Sequence, residues 1–218
     1  PWMNEAIVHR RVPVTFKEKL INRAMWWPTQ RVYLSATRIS DKKLARFVDE
    51  IRLKKIKWIV GYCGSLEYVA DYILKNNIGI SCVKLVWSTS SPLTKIVREK
   101  LENAFNCPVM DQYGCCEMGN IAVQKPMEDC LTVNNDYVWV DIVNTEGANV
   151  RKGDLGDVCI TDLNTLEFPL IKYRLGEEVD CWRVARSRQT VFKRLHLCKD
   201  AQATCFICPA GMYWMVLS

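Results

Sequence analysis

Residues 83–112 decide the fold, and they read VKLVWSTSSPLTKIVREKLENAFNCPVMDQ. The apolar, β-branched run from Val83 to Trp87 predicts a buried strand, and the apolar residues between Leu93 and Phe105 recur at helical spacing. Pro108 to Gln112 predicts another short strand. Because strand, helix and strand follow one another at this distance, the segment predicts a βαβ unit with parallel strands.

The same alternation extends towards the N-terminus. The predicted elements there are a helix from Phe16 to Met25, a helix beginning near Ser40, a strand from Ile56 to Tyr62 and a helix from Ser65 to about Asn76. Apart from its helix, the stretch 1–35 has no regular pattern. We therefore expect residues 1–130 to form an α/β subdomain with a mainly parallel sheet.

A different pattern follows Cys130. Short apolar runs joined by turn residues predict strands at Leu131–Val133, Tyr137–Val143, Asp157–Thr161 and Pro169–Arg174. We expect mainly antiparallel pairing, so residues 131–180 are predicted to form a β-rich subdomain. Residues 181–218 form a poorly patterned tail. The predicted fold class is thus α/β, with a parallel βαβ subdomain followed by a β-rich, partly antiparallel one.

Composition excludes several classes of protein. Of the 218 residues, 49% are hydrophobic and 25% are charged, as in an ordinary globular protein. The net charge is +6, but the basic residues do not form a stripe interleaved with aromatics, so no nucleic-acid partner is predicted. No apolar run approaches the roughly 18 residues of a membrane-spanning helix, and none is predicted.

The cysteine count indicates the compartment. Eleven cysteines, without a segment resembling a signal peptide, favour free thiols in a reducing cytoplasm over a disulfide framework. Cys205 and Cys208 have the spacing of metal ligands but lack a second matching pair, so a zinc- or thiol-dependent protein is the least favoured reading. The chain begins at Pro1 and stops within the apolar run ending at Ser218, from which we expect a fragment.

Three polar segments follow predicted strands, where parallel sheets bind their ligands. They are Gly61–Ser65, Ser88–Pro92 and Gln112–Glu117. The second segment places hydroxyl groups before a helix, an arrangement that suits an anion but equally caps a helix. It lacks the glycines and the lysine of a P-loop, so this segment by itself favours capping.

The third segment carries the sharper hypothesis. Tyr113 can stack on a base, Gly114 lets the backbone turn, and the Glu117 carboxylate, one helical turn further, can help to hold Mg²⁺. The structural alternative is a tyrosine that packs at a strand end beside a glutamate that begins a helix. The segment alone leaves both interpretations open.

Taken in order, these segments resemble the adenylate-forming (acyl-activating) superfamily, and most closely its phenylacetate–CoA ligase and CapK-type branch. The motifs that carry the resemblance are Val86–Thr94, Phe105–Val109, Asp111–Glu117, Gly153–Val158 and Pro169–Gly176. The match covers roughly residues 33–180. It implies the latter part of the superfamily's large N-terminal domain, with the tail as the start of the small C-terminal domain.

The resemblance implies roles for individual residues. It places adenine against Tyr113, with Gln112 and Gly114 beside it, and Mg²⁺ and the phosphates near Glu117, which is the catalytic candidate. Ser88, Ser90 and Ser91 are expected beside the nucleotide. The family's Asp that holds the ribose hydroxyls corresponds to Glu177 here, and the extra methylene group displaces its carboxylate.

The implied reaction is ATP-dependent activation of a small-molecule carboxylate as an acyl-adenylate, followed by transfer to a thiol such as that of coenzyme A. The implied enzyme is an AMP-forming acid–thiol ligase. This chain shows no Gly/Ser/Thr-rich loop with a lysine for the β- and γ-phosphates, so by itself it is predicted to be inactive. A non-catalytic binding or assembly module on the same scaffold is the alternative. The acyl substrate and the oligomeric state stay open.

Overall fold

A computed structural model describes residues 3–125, 130–151, 154–165, 167–183 and 190–194. The chain forms two compact units, residues 1–111 and residues 112–218. The predicted order, a parallel α/β part before an antiparallel part, is confirmed. The units divide after Asp111, before the expected boundary at residue 130. Tail features from residue 195 onwards, including Cys205 and Cys208, lie outside the described residues.

The first unit is an α/β sheet layer whose strands are all parallel. Its elements are β1 (Glu5–His9), α1 (Phe16–Met25), β2 (Arg31–Ser35), α2 (Asp41–Leu53), β3 (Trp58–Tyr62), α3 (Cys63–Lys75), β4 (Leu85–Thr89), α4 (Lys95–Phe105) and the beginning of β5 (Val109–Cys115). The strand order is β2-β1-β3-β4-β5. The sequence predicted α1 to α4, β3, β4 and β5, but not β1 or β2.

Helices α2, α3 and α4 cover one face of this sheet. Alternate strand residues such as Val8, Val32, Ile59 and Val86 join the apolar stripes of these helices in one core. The helical contributions are Leu44, Phe47, Val48, Ile51, Leu66, Val69, Ala70, Ile73, Leu101, Ala104 and Phe105. Burial of this set, at about 25 cal/mol per Å² of apolar surface, is the main stabilising term of the unit.

Helix α1 lies on the opposite face. The Tyr33 hydroxyl donates to Asn22 Oδ1 at 2.8 Å, and the Arg31 guanidinium lies 3.2 Å from the ring centroid of Trp26. Both strand residues alternate with Val32, which belongs to the other face. The connections β1–β2 and β2–β3 run in opposite directions across the sheet, so right-handed crossovers place α1 and α2 on opposite faces.

The second unit is antiparallel throughout its described strands. It contains the end of β5, then β6 (Gly119–Gln124), β7 (Leu131–Val133), β8 (Val138–Val143), β9 (Leu155–Asp162), β10 (Tyr173–Arg183) and β11 (Thr190–Arg194). The strand order is β5-β6-β7-β11-β10-β9-β8. Strand β11 falls in the predicted unpatterned tail and inserts between β7 and β10.

None of the helices within the described residues is both long enough and apolar enough to cross a bilayer.

Candidate functional site

The carboxyl ends of the parallel strands define the candidate site of the first unit. Strands β1, β3 and β4 end at His9, Tyr62 and Thr89 on the same edge of the sheet. Strand β1 lies between β2 and β3, so the direction in which the chain builds the sheet reverses between β1 and β3. Parallel α/β sheets bind ligands at such a switch point, outside the carboxyl ends of the strands.

His9 and Tyr62 flank this switch point. Their ring centroids are 4.8 Å apart and the rings are inclined by 51°. The Nδ1 atom of His9 lies 3.0 Å from the backbone nitrogen of Arg11. Burial lowers the pKa of His9, and the positive charges of Arg10 and Arg11 act in the same direction. These effects favour the neutral imidazole, and the backbone hydrogen bond with Arg11 opposes them.

The sequence analysis assigned no function to His9. The signal that could have found it is the apolar run Ala6-Ile7-Val8, which forms the second to fourth residues of β1 and places His9 at the strand's carboxyl end.

The serine loop, Ser88 to Ser91, follows β4 at the same edge. Ser88 is fully buried, and its hydroxyl has no hydrogen-bond partner among the described residues. Ser90 has φ +77°, a left-handed conformation that is strained in a residue other than glycine. Ser91 is exposed. A buried polar group without a hydrogen-bond partner is uncommon in folded proteins and calls for an explanation.

The capping alternative for this loop is wrong. Helix α4 begins at Lys95, and its N-cap is Thr94, whose side chain accepts a hydrogen bond from the Val97 backbone nitrogen at 3.3 Å. The predicted start at Leu93 is therefore two residues early. The serines lie further from the helix terminus than the sequence suggested.

The segment Gln112–Glu117 lies in a β-hairpin of the second unit. Gln112, Tyr113 and Gly114 belong to β5, and Glu117 occupies the turn to β6. A Cβ atom on Gly114 would lie 2.2 Å from the carbonyl oxygen of Gly119, so only glycine fits there. Gly119 itself has φ +69°, which closes such a turn.

This hairpin corrects two expectations. Tyr113 lies within a strand and does not follow one, and Glu117 lies in a β-turn, not one helical turn further along a helix. Glu117 is exposed. Burial raises the pKa of the Cys115 thiol to about 12, and the Glu117 carboxylate beside it adds to the rise. The turn thus presents one accessible carboxylate beside an unreactive thiol.

The Tyr113 ring is 2% exposed and packs in the core of the second unit. The buried residues of this core are Tyr113, Ile121, Ala122, Leu131, Val133, Val138, Val140, Ile142, Val158, Ile160 and Val179. A base that stacked on the ring would have to displace apolar neighbours. Stacking of adenine on Tyr113 stays a prediction.

Glu177 lies in β10, in the stretch where the pairing with β9 shifts register between Arg174 and Glu178. The preceding residue, Gly176, has φ +72°. Such a bulge bends a strand. In the strand order, β7 and β11 separate β6 from β10, so the second unit does not place Glu177 on a strand next to the hairpin.

The structure provides a limited test of the implied Mg²⁺. Among the described residues, no group of three His, Cys, Asp or Glu side chains is arranged to hold a metal ion. Mg²⁺ bound to a nucleotide needs only one or two protein carboxylates, because the phosphates and water supply the other oxygen ligands. The exposed carboxylate of Glu117 is compatible with that requirement.

Comparison with known proteins supports the resemblance. No protein-family model matches the chain. The chain is similar to the protein CapK from Staphylococcus aureus, with 26% identity over 170 residues, which are 78% of this chain and 36% of CapK. The predicted resemblance is thus confirmed.

Solved structures show the same fold at low identity. A 2-hydroxyisobutyryl-CoA ligase in complex with 2-HIB-AMP and CoA superposes with a TM-score of 0.64 at 14% identity, covering 83% of this chain and 41% of the ligase. The amide bond synthetase McbA from Marinactinospora thermotolerans superposes with a TM-score of 0.60 at 13% identity, covering 88% of this chain and 40% of McbA. The chain spans about two-fifths of the length of these proteins.

Proposed function

We propose that this chain supplies part of the active site of an adenylate-forming enzyme. The chain has the fold of acyl-CoA ligases and resembles CapK in sequence. In the proposed reaction a carboxylate attacks the α-phosphate of ATP, which forms an acyl-adenylate and releases pyrophosphate. A thiol, such as that of coenzyme A, then displaces AMP. The whole enzyme would be an AMP-forming acid–thiol ligase.

One observation carries this proposal. The polar segments that the resemblance links to the nucleotide occupy strand ends and a hairpin turn, within a fold shared with a ligase whose structure contains 2-HIB-AMP and CoA. The serine loop has a left-handed residue at Ser90 and does not cap its helix, which supports a role in binding.

Each residue has a proposed task. Ser88, Ser90 and Ser91 donate hydrogen bonds to phosphate or acyl oxygens, and Glu117 holds Mg²⁺ at the phosphates. The metal ion would neutralise charge that develops on the transferred phosphoryl group. Gln112, Tyr113 and Gly114 form the strand edge beside adenine. Glu177 accepts hydrogen bonds from the ribose hydroxyls.

The test is a calorimetric titration of the chain with ATP and with AMP, in the presence and absence of Mg²⁺. We expect Glu117→Gln to weaken Mg²⁺–ATP binding about tenfold, which corresponds to ~1.4 kcal/mol. AMP without Mg²⁺ should bind the variant and the parent chain alike. Glu146→Gln is the matched control, because Glu146 is also an exposed glutamate in a turn of the second unit.

Tyr113 requires a conservative variant. Tyr113→Ala would leave a cavity in the core that costs about 3–5 kcal/mol. Loss of nucleotide binding in that variant would therefore not distinguish a missing contact from unfolding. Tyr113→Phe keeps the ring, so it should keep nucleotide binding if the contact is stacking.

A non-catalytic module on the same scaffold is the second candidate. The near-complete burial of the Tyr113 ring favours it, because a buried ring contributes to the core and not to a ligand. A folded chain that binds neither ATP nor AMP would support the module. Saturable Mg²⁺-dependent ATP binding that Glu117→Gln weakens would support the enzyme, and carboxylate-dependent pyrophosphate exchange by the whole protein would then test the first half-reaction.

A further inference from the structure

A cavity of about 550 Å³ lies at the amino edge of the parallel sheet, where the strands begin. Its wall includes Asn4, Trp58 and Leu85, at the beginnings of β1, β3 and β4, and the segment that follows α2. At 3.3 Å per residue, β3 separates this edge from Tyr62 by roughly 13 Å. The cavity is therefore distinct from the serine loop at the carboxyl ends of the strands, and its volume is typical of small-molecule sites.

Three lysines line this cavity, and no carboxylate does. Within the described part of the chain, none of Lys55, Lys57 and Lys84 forms an ion pair. Burial raises the pKa of the nearby Cys107 thiol to about 11, so this thiol is neutral at pH 7 and supplies no counter-charge to Lys84. The Glu102 carboxylate raises the same pKa further but forms no ion pair with Lys84. The cavity thus gathers three positive charges without internal neutralisation.

Backbone hydrogen bonds hold two of these lysines side by side. The Lys84 backbone nitrogen donates to the Lys57 carbonyl oxygen at 2.6 Å, and the Lys57 nitrogen donates to the Asn4 carbonyl oxygen at 2.9 Å. Like charges at neighbouring positions of adjacent strands destabilise a sheet. An anion bound between the two ammonium groups would replace this repulsion with attraction.

The third lysine has a backbone conformation that is unusual for its residue type. Lys55 follows the C-cap of α2 with φ +49°, in the left-handed region. The left-handed residues at the ends of α3 and α4 are Asn77 and Asn106, and asparagine tolerates this conformation. Strained residues cluster at functional sites. The dipole of α2 favours a cation at Lys55, but it does not account for Lys84, which precedes β4.

An aromatic wall lies beside the three cations. The Trp58 ring lines the cavity, and its centroid lies 5.9 Å from that of Trp87. Its indole group also donates a hydrogen bond to the Glu5 carboxylate. Met3 and Leu85 add further apolar surface to the wall. Such a wall suits the organic part of a ligand, whereas the lysines suit its charged part.

We propose that this cavity binds a phosphate monoester, with the phosphoryl group among Lys55, Lys57 and Lys84 and the organic body against Trp58. At pH 7 such a phosphoryl group carries about −1.5 to −2 charges and three acceptor oxygens, which match three ammonium groups. Each lysine supplies a compact charge with three donors. The inference uses no residue of the proposed nucleotide site.

The test is calorimetric titration of the chain with phenyl phosphate, in the presence of EDTA and at constant ionic strength. We expect saturable binding that is about tenfold tighter than that of inorganic phosphate, because the phenyl ring contacts the aromatic wall. Lys57→Gln together with Lys84→Gln should weaken binding of phenyl phosphate about tenfold or more. The matched control is Lys17→Gln together with Lys19→Gln, which removes two exposed lysines of α1 and should leave the affinity unchanged.

Several outcomes would contradict the proposal. Absence of binding, or heats without saturation, would leave only unspecific attraction of counter-ions. Equal affinities for phenyl phosphate and inorganic phosphate would exclude the aromatic wall from the site, and equal weakening by the two double variants would place binding elsewhere. Circular dichroism checks that each variant is folded. Glu117→Gln should bind phenyl phosphate as the parent chain does, so a failure here is distinguishable from a failure of the proposed function.

Discussion

The rings of His9 and Tyr62 meet at 4.8 Å across the point where the strand order of the parallel sheet reverses. The two strands also approach closely just below the rings, where a Cβ atom on Gly61 would lie 2.6 Å from Val8 Cβ. The pairing of Val8 with Gly61 places His9 and Tyr62 side by side at the ends of β1 and β3. The sequence analysis included Tyr62 in the strand-end segment Gly61–Ser65, but it assigned no function to His9.

Burial of His9 should make stability depend on pH. Its pKa in the folded chain lies below the ordinary value of 6.5, so the unfolded chain binds more protons below that pH. The contribution of the neutral ring is complete above pH 6.5 and is lost as the pH falls through the folded pKa. We expect His9→Gln to flatten the decline in the free energy of unfolding between about pH 6.5 and 5, measured by urea denaturation.

Glu5 makes an opposite contribution to the pH dependence of the free energy of unfolding. Comparison of His9→Gln with the parent chain must remove it. Burial raises its pKa above 4.5, despite the Arg31 charge, so its contribution is complete below pH 4.5 and is lost as the pH rises through the folded pKa. The difference between the parent chain and His9→Gln isolates the histidine, because both contain Glu5. Parallel pH curves for the two proteins would show that His9 does not titrate differently on folding.

The pair of Glu5 and Arg31 should be costly to break. The Arg31 Nε group contacts Glu5 Oε1, and the two side chains are 18% and 7% exposed. Arg31→Ala leaves a buried carboxylate without its cation and is expected to cost about 3–5 kcal/mol at pH 7.5. The cost should be smaller near pH 4.5, where protonation of Glu5 relieves the charge. Chemical denaturation at both pH values measures the difference.

Arg46→Ala is the control for Arg31. Arg46 also pairs with a glutamate, Glu50, but its side chain is 77% exposed. Such a pair contributes only about 0.3–0.5 kcal/mol on a helix surface. Equal losses from the two arginine variants would contradict the burial of the Glu5 pair.

Gly114→Ala should prevent the β5–β6 hairpin from closing. The added Cβ would lie 2.2 Å from a backbone oxygen, which cannot move away as a flexible side chain would. We expect a loss of about 3 kcal/mol and, if nucleotide binds at this hairpin, a loss of binding. Gly64→Ala is the control, since nothing lies within 4 Å of its Cβ position. Thermal unfolding measures both losses. Equal losses of stability in Gly114→Ala and Gly64→Ala would argue against the hairpin.

The adjacent cysteines of the hairpin should react differently. Burial raises the pKa of Cys115 to about 12, whereas Cys116 is exposed in the turn. Because the thiolate is the nucleophile, iodoacetamide at pH 8 should modify Cys116 and spare Cys115. Tandem mass spectrometry of the labelled peptide locates the adduct. Rapid labelling of both residues would show that the hairpin opens in solution.

The elements that the sequence predicted well are those with strong local periodicity. Helix α1 has the predicted bounds, Phe16 to Met25, and α2 begins at Asp41, next to the predicted start at Ser40. Strand β7 also has the predicted bounds, Leu131 to Val133. A stripe of apolar side chains at 3.6-residue spacing is a local property of the sequence, so no distant contact is needed to recognise it.

The elements that were missed depend on distant partners. Strand β2 alternates buried and half-buried residues over only five positions, and its Tyr33 donates a hydrogen bond to Asn22 of α1. Strand β11 has its partners in β7 and β10. The segment after Tyr113 was expected to begin a helix, but pairing with Gly119–Gln124 makes it a hairpin. Short segments of this kind take the conformation that their neighbours impose.

By itself the sequence therefore determined the fold class, the order of the parallel and antiparallel parts and the resemblance to adenylate-forming enzymes, because apolar periodicity and ordered motifs are local properties. Only the tertiary structure decided the residues at the strand-order reversal, the burial of Tyr113 and the convergence of three lysines on one cavity. Each of these depends on which side chains meet across elements that are distant in the chain. Tertiary packing determines those contacts.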